Sequence, residues 1–234
     1  MLEITQIRKL SLWIFFIPLI AINLCLFITI NYSLFENTIF QVDQIGRSAF
    51  TIPYLDGSLS ISRASRTYPA FLIFKPGMIL TSILLFFYWK KNNELINKFN
   101  NISGKIYKFK TFGVLSAIFL SIHALLLGVD IDIKIFKLLR RVILLSFIIF
   151  EIIAQGLLVY NFYKLKEKIN SFYRPLLLRI KILLVFTLAS VAIASLPILV
   201  TKGNVHFKHA LEWNYFIGVI FFYLLTRLFW KKID

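Results

Sequence analysis

Apolar runs of about twenty residues recur along this chain, parted by short stretches rich in lysine, arginine and asparagine. The first, LSLWIFFIPLIAINLCLFITI, is long enough to cross a hydrocarbon core about 30 Å thick. The pattern predicts six helices, over 10–31, 70–89, 111–129, 142–163, 180–201 and 209–230. Pro18, Pro76 and Pro197 fall inside these segments, where a kink is tolerated if neighbours satisfy the freed carbonyls. There is no internal repeat and no low-complexity tract. The expected fold is therefore all-α: a polytopic six-helix transmembrane bundle forming one integral membrane domain over 1–234.

Composition strengthens the picture. The chain is 59% hydrophobic with a mean hydropathy of +0.77, beyond the usual range of a soluble domain. A net charge of +16 in a soluble protein would point to nucleic acid, but no basic segment outside the spans is interleaved with stacking aromatics. Lysine and arginine in membrane proteins instead fix orientation and meet anionic lipid. The N-terminus, the 90–110 loop, the 164–181 loop and the C-terminal end carry 17 of the 27 basic residues; the opposite loops carry 9. Both termini are thus expected in the cytoplasm, although KLLRR at 137–141 opposes the bias. Cys25 is the single cysteine, which excludes an intrachain disulfide and a cysteine metal cluster. The first run lacks a small-residue cleavage signal and reads as a retained signal anchor. The Ile-, Lys-, Asn- and Phe-rich usage fits a bacterial inner membrane; in a eukaryote the place would be an endomembrane or the plasma membrane.

The first outer loop, 32–69, is the longest and contains PYLDGSLSISRASRTYP, polar, turn-rich and bracketed by Pro53 and Pro69. Tyr54, Ile61 and Tyr68 give it apolar anchors, so a folded cap over the outer mouth is expected. Polar groups within or near the spans are costly and need partners. Lys75, His123, Glu151 and Glu212 all fall within about 13 Å of the outer boundary at a rise of about 1.5 Å per residue. That asymmetry predicts a polar recess open to the outer leaflet. Glu151 and Gln155 share one helix face, as do His206, His209 and Glu212 beside Trp213; Asn214 lies nearby. Plainer readings stand beside these: Lys75 snorkelling outward, His123 bonded between helices, and a hydrated helix start anchored by Trp213.

Three function classes follow. In the first, the recess binds a phospholipid or glycolipid headgroup: Arg63, Arg66 and Lys75 meet phosphate, while Asp56 and Glu212 orient sugar or amine groups or pair with the arginines. In the second, the protein is a lipid acyltransferase or hydrolase, with His123 or His209 as base and Glu151 or Glu212 activating it. In the third, Glu151 is the protonatable site of a proton-coupled transporter, though no inverted repeat supports this. No G-x-S-x-G, H-E-x-x-H or phosphate-binding glycine loop occurs; Ser58, Ser60 and Ser62 could supply a nucleophile, but serines are common in a turn-rich loop. The His206–His209–Glu212 spacing lacks a distant fourth ligand, so neither a metal nor another cofactor is expected. The expected partners are membrane lipids, with no nucleic acid.

Two stretches together resemble a known family. HALEWNYFIGVIFFYLLTRLF is similar to the last helix of the damage-regulated autophagy modulator (DRAM) proteins. PYLDG, followed by Pro69-Ala70-Phe71, resembles that family's first-loop motif, although the serine before the aspartate is missing and SLSISRASRTY is longer and more basic. This points to the Frag/DRAM/Sfk group, which includes the factor that remodels the lipid of GPI anchors. The resemblance implies a lipid-related membrane role, catalytic or not, and singles out Asp56, Gly57, Glu212 and Trp213.

Overall fold

The computed structural model describes residues 2–43, 46–99, 108–129, 133–201 and 203–232. Each predicted apolar run falls on a helix, and most helices begin before or end after their runs. They are α1 (Leu2–Ile30), α4 (Phe71–Phe99), α5 (Phe109–Leu126), α6 (Lys134–Lys164), α7 (Pro175–Val200) and α8 (Val205–Phe229); two short helices, α2 (Pro53–Asp56) and α3 (Ile61–Ser65), lie in the first loop. Helix α5 stops at Leu126, short of the predicted 129. Five helices, α1 and α4 to α7, are long and apolar enough to cross a membrane, so this is an integral membrane protein. In α8, Glu212, Asn214 and Arg227 dilute the apolar character of a helix equally long.

The extensions have local causes. Helix α4 runs ten residues past Trp89 through KKNNELINKF, whose Asn92, Leu95 and Ile96 are buried while other positions face out. Polar residues end a lipid-soluble run without ending a helix. Helix α6 begins with KIFKLLRR, about two amphipathic turns with Ile135 and Leu138 exposed. Helix α7 begins at Pro175, whose fixed φ and missing N–H suit the first helical position.

The six long helices pack in chain order, α1 on α4, α4 on α5, α5 on α6, α6 on α7 and α7 on α8, and α8 closes the ring on α1. Successive helices run antiparallel, so both chain ends lie at one end of the bundle and the first loop at the other. At the terminal end, Lys98 pairs with Glu3 and Arg227 donates to the Arg8 carbonyl (3.4 Å). There too, the segment after α8 pairs with the approach to α7, Lys231 N–H to Phe172 O (2.9 Å) and Arg174 N–H to Phe229 O (3.0 Å).

Large aromatics fill the ring: Trp89, Tyr88, Tyr223, Phe222, Phe109, Phe229 and Trp230 are all almost completely buried. Gly113 on α5 permits this, because a Cβ there would run into the Trp89 indole. Trp89 meets Phe109 at 6.2 Å and Tyr88 at 5.0 Å between ring centroids.

Candidate functional site

The first loop is folded onto the start of α8, and the two stretches singled out by resemblance touch each other. Pro53 opens α2, and Gly57 ends it with φ +61°, a left-handed turn that glycine adopts without strain. Gly57 lies so close to α8 that a Cβ would collide with the His206 carbonyl. Its own carbonyl meets His209 Nδ1 at 2.9 Å. Next along, Trp213 Nε1 donates to Leu59 O at 2.8 Å, and Asn214 Nδ2 donates to Tyr54 O at 2.7 Å. The Tyr54 ring packs edge-on against Trp213 (4.8 Å), and its hydroxyl donates to Asn23 Oδ1 of α1 (3.0 Å). The Glu212 carboxylate faces the main-chain N–H groups of Ile61 and Ser62, where α3 begins. The cap is therefore held by main-chain carbonyls on polar tips of α8.

Asp56 stays within the loop. Its carboxylate accepts from Ser58 N–H (2.9 Å), Ile52 N–H (2.9 Å) and Thr51 Oγ1 (2.8 Å), while Thr51 and Ser58 also bond to each other. The Ser58 N–H foremost, with the Ile52 N–H and the Thr51 hydroxyl, holds its pKa down to about 2. Asp56 thus shapes the turn that presents Gly57 to α8.

The other sequence-derived residues fall into separate groups. Arg63 is exposed and Arg66 half-buried, with the Arg66 Nε unpartnered. Lys75, half-buried on α4, places its ammonium 5.3 Å from the Phe71 ring centroid. His123 is buried on α5 with Nδ1 unpartnered. Glu151 bonds Ser116 of α5, Tyr223 of α8 and Gln155 on its own helix, not His209 or Glu212. His209 is oriented by a carbonyl rather than a carboxylate, and His206 is exposed. Among the described residues no three His, Cys, Asp or Glu side chains converge as a metal site.

Beside the cap lies an apolar cleft of about 190 Å³, lined by Ile28 of α1, Phe35 and Phe40 of the loop, and Pro69, Leu72 and Ile73 at the start of α4. Arg66 precedes Pro69 by three residues, and Lys75 follows Leu72 by three, so basic side chains flank the lining on both sides in sequence. The loop's outer surface is apolar too: Ile39, Phe50 and Leu55 are 80%, 79% and 82% exposed. Among the described residues the ion pairs, Lys91–Glu94 and Lys98–Glu3, both involve α4 beyond Trp89, toward the terminal end. Arg47, Arg63, Arg66 and Lys75 have no carboxylate partner among the described residues.

Sequence reasoning missed Lys181. It is fully buried, its Nζ 2.5 Å from Thr226 Oγ1 and 3.9 Å from the Phe222 ring centroid. Read as a loop-edge charge, it lies six residues inside a helix whose start Pro175 marks. Ser116, Tyr88 and Tyr223 were also missed, because neutral hydroxyls give no charge signal.

No protein-family model, curated protein or solved structure matches this chain.

Proposed function

We propose that this protein is a six-span, DRAM-like membrane protein that binds an anionic lipid at its loop end, on the non-cytoplasmic side. The observation that carries the reading is the apolar cleft of Ile28, Phe35, Phe40, Pro69, Leu72 and Ile73, flanked by cations that pair with no carboxylate among the described residues. An acyl chain enters the cleft, and the phosphate rests on Arg66 and Lys75, with Arg63 in reach of the headgroup. Arginine suits this role through its planar fork of donors, and lysine as a point charge. Ile39, Phe50 and Leu55 immerse the loop in the lipid interface, since large apolar side chains left in water forfeit about 25 cal/mol per Å² of buried apolar surface. The excess of basic residues toward the chain ends supports the orientation. The family resemblance supports the lipid class, because its two stretches are the surfaces that dock cap on α8.

Asp56, Gly57, Glu212 and Trp213 take a different part from headgroup contact: they hold the cap that forms one wall of the site. The acyltransferase or hydrolase reading pairs a histidine base with Glu151 or Glu212, and His209 instead meets the Gly57 carbonyl while Glu151 bonds Ser116, Tyr223 and Gln155.

The test is lipid binding by the purified protein in nanodiscs, read by native mass spectrometry. Retention of phosphatidylglycerol over phosphatidylcholine, lost at least tenfold in Arg66→Glu/Lys75→Glu, is expected. Equal retention of both lipids would refute the reading.

A further inference from the structure

At the end of the bundle opposite the cap, three arginines from separate elements gather: Arg8 of α1, Arg174 just before α7 and Arg227 in the last turn of α8. The contacts between these elements set their spacing. Arg227 Nη1 lies 3.4 Å from the Arg8 carbonyl, so the α8 side chain crosses onto α1. Arg174 donates its N–H to Phe229 O at 3.0 Å, and Lys231 donates its own to Phe172 O at 2.9 Å, which staples the approach to α7 against the end of α8. Tyr173 and Trp230 pair within the same short ladder. Arg8 is accordingly close enough to feel the positive charge of Arg227 and of Arg174.

Like charges gathered in this way repel unless an opposite charge joins them. No carboxylate of the described residues does so: the ion pairs there are Lys91–Glu94 and Lys98–Glu3, and neither includes these arginines. Arg8 makes a second demand. The residue is half-buried, and its Nε is a buried donor without an acceptor among the described residues. The indole N–H of Trp230, which pairs with the neighbour of Arg174, is a buried donor in the same state. Buried donors left unpaired are rare, and they point to an acceptor from outside the chain. The start of α7 adds to the same field. Arg174 caps it without a side-chain hydrogen bond, and the 26-residue helix presents its positive end there. Arg174 is exposed and Arg227 half-buried, so the cluster is open to water. A carboxylate offers two oxygens, enough for one guanidinium fork. A phosphate offers more oxygens and more charge, which suits forks arriving from three elements.

We infer that Arg8, Arg174 and Arg227 form an anion site at the terminal end of the bundle that takes a phosphate group, carried by a lipid headgroup or by a soluble molecule. The bound phosphate offsets the mutual repulsion of the three guanidiniums and gives the Arg8 Nε–H its acceptor. The site shares no residue with the loop-end cleft and stands whether or not that cleft holds lipid.

Two probes distinguish the sources, using the full-length protein in phosphatidylcholine nanodiscs. Phosphatidic acid is added to the bilayer and its retention read by native mass spectrometry. Inorganic phosphate is added to the buffer, and the concentration giving half of the rise in melting temperature is read against chloride at equal ionic strength. Every protein carries Arg66→Glu/Lys75→Glu, so that phosphate held near the loop contributes nothing. Binding of at least one probe is expected, weakened at least tenfold in Arg174→Gln and in Arg8→Gln. Phosphatidic acid alone would assign a lipid, inorganic phosphate alone a soluble ligand, and both a site open to either. Arg174 is exposed, so Arg174→Gln decides the matter should Arg8→Gln fold poorly. A response to neither probe, or an equal response with and without Arg174→Gln, would overturn the site.

Discussion

At Gly57 the main chain turns through φ +61° against the His206 carbonyl, two demands that no other residue meets together. An L-residue in the left-handed region costs about 1–2 kcal/mol before any collision is counted. Gly57→Ala should therefore lift the cap from α8: melting in detergent falls, and limited proteolysis cuts within 32–69 faster than in the parent protein. Unchanged proteolysis would mean that the loop adjusts without leaving the helix. Asp56 works beside it. Its depressed pKa means that its stabilising bonds are present above the ordinary carboxylate value near 3.8 and are lost as pH falls toward about 2. Protection of the loop should thus hold down to about pH 4 and weaken below it, and Asp56→Asn should weaken it at neutral pH as well. Glu212 and Trp213 are visible in the sequence as polar groups at a helix mouth. Their partners are not, since carbonyls and N–H groups of a distant loop leave no mark in composition.

Between elements, the sequence is most legible where twenty apolar residues stand together and least where a helix continues with polar residues. Helices α1 and α4 to α8 each carry one of the apolar runs, but KKNNELINKF and KIFKLLRR extend α4 and α6 beyond the hydrocarbon-length segment. Lys181 shows the cost of that blind spot: a span begun at 180 makes it a rim charge, whereas a helix begun at Pro175 places it inside. The seam between cap and α8 makes its own prediction. Trp213→Phe keeps the ring packed against Tyr54 but leaves the Leu59 carbonyl without its donor, which typically costs about 1–3 kcal/mol. Thermal unfolding should register that loss, and the loop should become more accessible to protease. No change in either would assign the cap's hold to packing alone.

Across the whole molecule, an antiparallel ring closed by α8 on α1 places both chain ends at one end and the first loop at the other. Single cysteines placed in a Cys25→Ser background at Leu55 and at Lys232 should label from opposite faces of a sealed vesicle, Leu55 from the non-cytoplasmic one. Labelling of both from one face would dismantle the proposed topology. The lipid site depends on that orientation and on cations that pair with no carboxylate among the described residues.

Photo-crosslinking addresses that dependence most directly. An anionic phospholipid with a photoreactive acyl chain, incorporated with the protein in nanodiscs, should attach within residues 28–40 or 69–73, with yield reduced at least tenfold by Arg66→Glu/Lys75→Glu. Crosslinks spread evenly over the lipid-facing helices, with the same yield in the charge-reversed protein, would contradict the account.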